Sequence, residues 1–306
     1  MFFIAIDHKL DIFSPANFIK MKKLIFLLFL LPMGLNAQHL EAGIMVGASN
    51  YLGDLSSNSS IVYMQETGFS GGVFGRYNFH YLGAIRLGFT YGNVSGEDAN
   101  SSDRAIRERN LSFSTNILEG SLIAEFNIPG YDPYNLSMPF SPYIFGGISY
   151  FTFNPETELD GTTYALQALG TEGQGIPGRE EAYALNGIAI PMGIGFKYAL
   201  TDLWNIGLEF GVRKTFTDYI DDVSTTYVEY SELLAANGEI SAALGNRTGE
   251  FLGTEPISVP TGTMRGDDSD SDWLFFTGIT ISYNFLDNGL VGSRGRLRRR
   301  SGCNTD

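Results

Sequence analysis

Ile188-Ala189-Ile190-Pro191-Met192-Gly193-Ile194-Gly195-Phe196-Lys197-Tyr198, the link Ala199-Leu200-Thr201-Asp202-Leu203, and Trp204-Asn205-Ile206-Gly207-Leu208-Glu209-Phe210-Gly211-Val212-Arg213 form the stretch that decides the fold. Large apolar side chains stand at every second position from Ile188 to Tyr198 and again from Trp204 to Val212. Successive side chains of a strand point to opposite faces, so each segment has one wholly apolar face. Its other face carries small residues and the charged Lys197, Glu209 and Arg213. With the short Thr201-Asp202-Leu203 turn between them, the two segments read as a hairpin of lipid-facing strands.

The same period recurs on both sides of this hairpin. A first segment, residues 39–49, has Leu40, Ala42, Ile44, Val46 and Ala48 on one face. Residues 69–79 offer Phe69, Val73, Tyr77 and Phe79, and the tight His80-Tyr81-Leu82 link leads to Ile85, Leu87, Phe89 and Tyr91. Leu118, Leu122, Ala124 and Phe126 mark a fourth segment, and Ile144, Ile148 and Tyr150 a fifth over 141–152. Trp273, Phe275, Ile279, Ile281, Tyr283 and Phe285 close the set, making eight with the opening hairpin. The connections alternate in length: 50–68, 93–112, 153–186 and 218–272 are long and polar, whereas 80–82 and 201–203 are very short. The proline-bearing turn at 128–140 is longer than the other two. Long loops outside and short turns inside are the habit of outer-membrane barrels. The expected fold is therefore all-β: an eight-stranded antiparallel transmembrane up-and-down barrel over residues 38–286, with long extracellular loops and both termini in the periplasm of a diderm bacterium. Glycine at 37, tyrosine at 16 and phenylalanine at 23 among 306 residues fit many short strands closed by turns.

Ahead of the barrel, Met21-Lys22-Lys23, the apolar run Leu24 to Leu31, Pro32 and Leu35-Asn36-Ala37 follow the export order of charge, apolar run and small residues. Residues 21–37 are expected to be a signal peptide cleaved after Ala37. Residues 1–20, with Asp7, His8 and Asp11, are read as a start assigned too early. Residues 1–37 hold four Lys against two Asp, so removing them takes the net charge from −14 to −16. That balance argues against nucleic acid as a partner. Cys303 stands alone, which excludes an internal disulfide framework.

Charge parity adds an independent sign. If the apolar faces meet lipid, then Glu41, Arg76, Arg86, Glu119, Glu125, Lys197, Glu209 and Arg213 all point inward, four acids against four bases. A lone buried charge costs several kcal/mol, and mutual pairing offsets most of it. A balanced set predicts a lumen filled by ion pairs, and eight strands leave an interior just wide enough for side chains. A solute pore is disfavoured.

Candidate chemistry is sparse. His39 and His80 fall at the turn end with no serine and carboxylate at triad spacing, and read as interfacial polar residues. Gly173-Gln174-Gly175-Ile176-Pro177-Gly178 has the spacing of a dinucleotide-binding turn. It lacks the preceding buried strand and following helix, so it reads as a glycine-rich external loop. Asp218, Asp221 and Asp222, and Asp267, Asp268, Asp270 and Asp272, form acidic runs without the hinge glycine and distal Glu of a calcium loop. They are expected to be solvated. No catalytic residue, cofactor or metal is assigned. After the last strand, Arg294, Arg296, Arg298, Arg299 and Arg300 with Cys303 form a basic tail, 287–306, placed in the periplasm as a possible partner contact. By contrast, residues 218–272 hold twelve acids against Arg247 and Arg265 and are placed outside.

Several segments carry a resemblance. They include Glu41-Ala42-Gly43 through Asn50-Tyr51-Leu52-Gly53-Asp54-Leu55, Leu118-Glu119-Gly120-Ser121-Leu122, Pro142-Tyr143-Ile144-Phe145-Gly146-Gly147 and Leu166-Gln167-Ala168-Leu169-Gly170-Thr171-Glu172. The run from Glu209 through Arg213-Lys214-Thr215-Phe216-Thr217-Asp218-Tyr219-Ile220-Asp221-Asp222 to Tyr227 is the most specific. In this ordered series the chain resembles the PorG family, the small outer-membrane barrel component of the type IX secretion system. The resemblance implies a non-enzymatic role in protein secretion, in contact with a periplasmic lipoprotein ring, and no catalytic residues. The rival expectation is a free-standing barrel that tethers the membrane or binds surface ligands through its loops; a lipid-processing enzyme comes third.

Overall fold

The computed structural model describes residues 39–56, 65–128, 130–131 and 139–285. The expected signal, the segment before it and the arginine-rich tail with Cys303 lie outside the described residues. The described chain holds β1 (His39–Leu52), β2 (Gly68–His80), β3 (Gly83–Glu97), β4 (Ser112–Asn127) and β5 (Phe140–Thr152). A short hairpin, β6 (Glu156–Leu159) and β7 (Thr162–Ala165), follows, and then β8 (Asn186–Ala199), β9 (Trp204–Thr215) and β10 (Trp273–Phe285). Eight strands pair antiparallel in the order β3-β2-β1-β10-β9-β8-β5-β4, and β3 pairs with β4 to close the cylinder. Each barrel strand thus sits beside its chain neighbours, and β1 meets β10 from Leu40↔Phe285 to Leu52↔Trp273.

Closure leaves no sheet edge, the condition for a sheet to sit in lipid. The exterior suits that setting: Leu87 is 68% exposed, Ile148 62% and Val73 58%, and most of the apolar faces predicted above lie outward with them. Phe275 departs from this. It has the outward parity of Ile279 yet is buried, near the loop end of β10. Aromatic rings gather near the turns, with Phe140 stacked on Phe196 at 5.7 Å and Trp204 edge-on to Tyr283 at 5.1 Å. Such rings favour the membrane–water interface. β3 and β4, at 15 and 16 residues, exceed the roughly 9–11 that cross a bilayer, so they project beyond it at the loop end.

Pro191 lies within β8 and lacks an N–H, so the β5–β8 ladder skips Gly147 and Ile148 opposite it and resumes in unchanged register at Ser149↔Ala189. The connections expected to be plain polar loops carry structure. The β6–β7 hairpin touches the barrel sheet through the bridge Ser114↔Glu156. Helix α1 (Arg104–Arg109) lies in the second loop, capped by the Asp103 side chain and ended by Asn110 at φ 58°, a conformation asparagine tolerates. The fourth loop contains α2 (Tyr230–Asn237), α3 (Glu239–Gly245) and α4 (Thr248–Leu252).

Candidate functional site

From the turn end upward, the lumen is filled in layers. Lowest is a ring of inward amides. Asn205 donates to Asn284 at 3.1 Å, Asn284 to the Tyr131 hydroxyl at 3.4 Å, and Asn78 to Glu41 at 3.3 Å. Above it sit the predicted charges, every one at most 4% exposed. Arg76 and Arg86 stand directly opposite one another on β2 and β3, a like-charge pair that would repel. Glu125 lies between them, 2.9 Å from Arg76 and 3.3 Å from Arg86, and also takes Lys197 at 2.6 Å. Glu41 pairs with the other side of Arg76 at 2.5 Å, and Glu209 with Arg86. Tyr143 donates to Glu209 at 2.8 Å while its ring lies 4.4 Å from the Lys197 ammonium. In that low-dielectric interior each charge has an opposite partner, the arrangement in which burial is tolerated.

The next layer joins Arg213 to Glu119 at 3.2 Å, with the guanidinium 4.3 Å over Phe276. A cavity of about 20 Å³ lies between these two layers, lined by Arg86, Glu209, Arg213, Thr90 and Thr280 among others, room for about one water. Beyond Arg213 the lumen turns apolar. Phe276, Ile117, Phe151, Leu274, Phe113 and Tyr51 pack with Leu55, Ile220 and Val223, which descend from the loops. This plug fills the loop end of the barrel.

Over the plug, the four long loops are bound into one cap by buried charge. Asp98 accepts from Arg109 at 2.8 Å and from the Leu111 N–H at 2.9 Å. Arg109 donates onward to the Asp54 carbonyl at 2.9 Å and the Arg265 carbonyl at 2.7 Å, so it joins loops one, two and four. Arg265 reaches Glu172 of loop three at 2.9 Å and the Asp222 carbonyl at 2.7 Å. Glu172 also accepts from the Ser224 N–H and the Thr225 hydroxyl, at 3.1 and 2.8 Å. Asp222, at φ 68°, takes the Thr171 and Tyr183 hydroxyls at 2.5 and 2.7 Å. Burial pushes its carboxyl up to about 6, although Arg265 opposes the shift. Burial likewise raises Asp218 to about 7.

The acidic runs therefore divide. Asp267, Asp268 and Asp270 are exposed, as expected, but Asp221, Asp222 and Asp272 are at most 1% exposed, which corrects the expectation of a solvated loop. Their oxygens are taken by backbone N–H groups and hydroxyls, and among the described residues no group of His, Cys, Asp and Glu is arranged to hold a metal ion. His80 accepts from the Leu82 N–H at 3.2 Å, and its ring lies tilted against Tyr81 at 4.3 Å, a turn-stabilising role. The side chain of His39 lies outside the described part. Gly173, Gly175 and Gly178 all have positive φ in a coil between the β6–β7 hairpin and β8, with no helix after them. That coil supplies Glu172 to the cap.

No curated protein matches the chain. Among solved structures it is similar to the attachment invasion locus protein Ail of Yersinia pestis, at 9% identity over 81% of this chain and 99% of that one, with a TM-score of 0.37. Neisserial surface protein A is similar at 10% identity over 81% and 97%, TM-score 0.36. Outer membrane protein OprG of Pseudomonas aeruginosa follows at 12% over 83% and 98%, TM-score 0.35. The eight-stranded architecture rests on this chain's own strand pairing rather than on those likenesses. Residues 20–242, spanning the barrel strands through β9 and entering the fourth loop, match one family, and the chain belongs to it: the family described as Domain of unknown function (DUF6089).

Proposed function

We propose that this chain is a non-enzymatic outer-membrane barrel that serves a protein-export apparatus of the type IX kind, as an anchor contacting a periplasmic lipoprotein ring. The observation that carries the reading is the filled lumen. Its charges are consumed by one another and its loop end is plugged, so the barrel is left to act through its surfaces and not as a conduit. The PorG-like series supports it as well. Its most specific run, Glu209 to Tyr227, starts within β9 and includes Asp221 and Asp222, two buried supports of the cap. In this reading the short turns and the tail 287–306 face the periplasm and the ring, while the cap faces outward.

A mild-detergent pull-down of the tagged mature protein from its own membrane tests this, repeated without residues 287–306 and with Cys303→Ser. Recovery of a lipoprotein ring that weakens without the tail is the expected result; a clean monomeric barrel would contradict it. The ordered cap favours a second reading, a free-standing barrel whose loops present a rigid surface to the exterior. Normal secretion with a leaky envelope after deletion would select that one.

A further inference from the structure

At the junction of plug and cap, one hydroxyl serves two acids. The Tyr51 oxygen, at the loop end of β1, lies 2.7 Å from Asp221 Oδ2 and 2.7 Å from Asp272 Oδ1. A phenol has a single proton and can donate to only one of them. The remaining oxygens are accounted for: Asp221 Oδ1 accepts the Val223 N–H at 2.9 Å, its Oδ2 also accepts the Leu55 N–H at 3.0 Å, and Asp272 Oδ2 accepts the Ile220 N–H at 2.9 Å. Asp272 Oδ1 alone has no contact besides Tyr51 among those described. Neither acid takes part in an ion pair among the described residues, and both are 1% exposed. Gly53 packs directly on the group; a Cβ there would stand 1.9 Å from the Tyr51 hydroxyl and 2.1 Å from Asp272.

We infer that Asp221, Tyr51 and Asp272 form a one-proton latch: Asp272 holds a proton and donates it to Tyr51, Tyr51 donates to Asp221, and loss of that proton releases the cap. With the proton in place every oxygen has a partner of the right kind. Without it two buried carboxylates face each other across one hydroxyl and repel. The latch bears on the plug because its ligating backbone belongs to Leu55, Ile220 and Val223, which are plug residues, and Asp272 immediately precedes β10.

The charged and titratable groups facing the pair are Asp54 and Tyr51 from the first loop and β1, Asp218 and Tyr183 from loops four and three, and the cation Arg109 from loop two. Arg109 opposes the acids only partly, being occupied by Asp98. Burial raises Asp221, and burial together with the Asp221 charge raises Asp272 well above the ordinary carboxyl range. A carboxyl whose value is higher in the closed state stabilises closure fully below its ordinary range. For the proton on Asp272 that contribution is present below about pH 4 and is lost as pH rises through the raised value of Asp272. The cap therefore holds in acid and loosens in alkali.

The test uses the mature protein in nanodiscs at about pH 6 and about pH 9, with hydrogen exchange corrected for the intrinsic pH dependence of the amide. Wild type is expected to lose protection by about tenfold or more at segments 217–228 and 268–272 on going to the higher pH, while the barrel strands stay protected. Asp272→Asn, which keeps a donor and cannot ionise, is expected to hold its protection at both values. Infrared spectra of the wild type should show the carbonyl band of a buried protonated carboxyl at the lower pH and lose it at the higher. Equal protection of the wild type at both values, the same loss in Asp272→Asn, or absence of the band would each overturn the latch. Should Asp272→Asn not fold, the wild-type infrared titration decides.

Discussion

Glu125 is the residue on which the interior turns, since it alone contacts Arg76, Arg86 and Lys197. Removing one partner of a buried charge group leaves the others uncompensated, at about 3–5 kcal/mol. Glu125→Gln should therefore lower the unfolding free energy, read from urea titration of the protein folded in lipid vesicles, by that amount, while exposed Glu158→Gln should move it by less than about 0.5 kcal/mol. Equal unfolding free energies for the two variants would contradict the network's role. Residue-scale legibility was uneven for a physical reason. The eight inward charges can be placed from period two alone, because strand geometry assigns every second residue to one face. The inward asparagines Asn78, Asn127, Asn205 and Asn284 carry the same signal, each at inward parity close to a turn, although without a charge to mark them. Asp221, Asp222 and Asp272 offered no such signal. Loop residues have no period, and acidity alone suggests solvent, whereas these three are buried by contacts reaching across up to 221 positions of sequence.

Among the elements, the seam that joins the first and last barrel strands, β1 and β10, is tight. Gly47 faces Gly278 across it, and a Cβ at Gly47 would stand 1.9 Å from the Thr277 carbonyl oxygen. Gly47→Val should prevent closure or weaken it by more than about 3 kcal/mol, read as loss of the heat-dependent shift in gel mobility of a folded barrel. The β6–β7 hairpin is the opposite case. It joins the barrel sheet through a single bridge. Replacing Glu156–Ala165 with a short glycine-serine link should preserve the mobility shift and leave the eight-stranded cylinder intact; its loss would show that the hairpin belongs to the barrel's folding unit. All eight barrel strands were readable because each is long and alternates. The hairpin, at four residues a strand, and helices α1, α3 and α4, at seven residues or fewer, are too short for either period to stand out, and they hold their shape through the cap.

Across the whole molecule the amide ring, the charge layers, the apolar plug and the bonded loops lie one above another, each closing the lumen at a different depth. Sealing is thus redundant, and release of the cap alone leaves the charge layers in place. The filled interior follows from eight strands and a balanced set of inward charges, both present in the sequence; the plug does not, because its loop members meet the strands only after folding. The most direct test of a sealed lumen is single-channel recording of the purified mature protein in a planar bilayer near neutral pH. A filled barrel should leave the membrane silent, with no stepwise conductance at any protein density that gives folded barrels. Steady unitary conductance from the folded wild type would contradict it and show a continuous aqueous path through the layers.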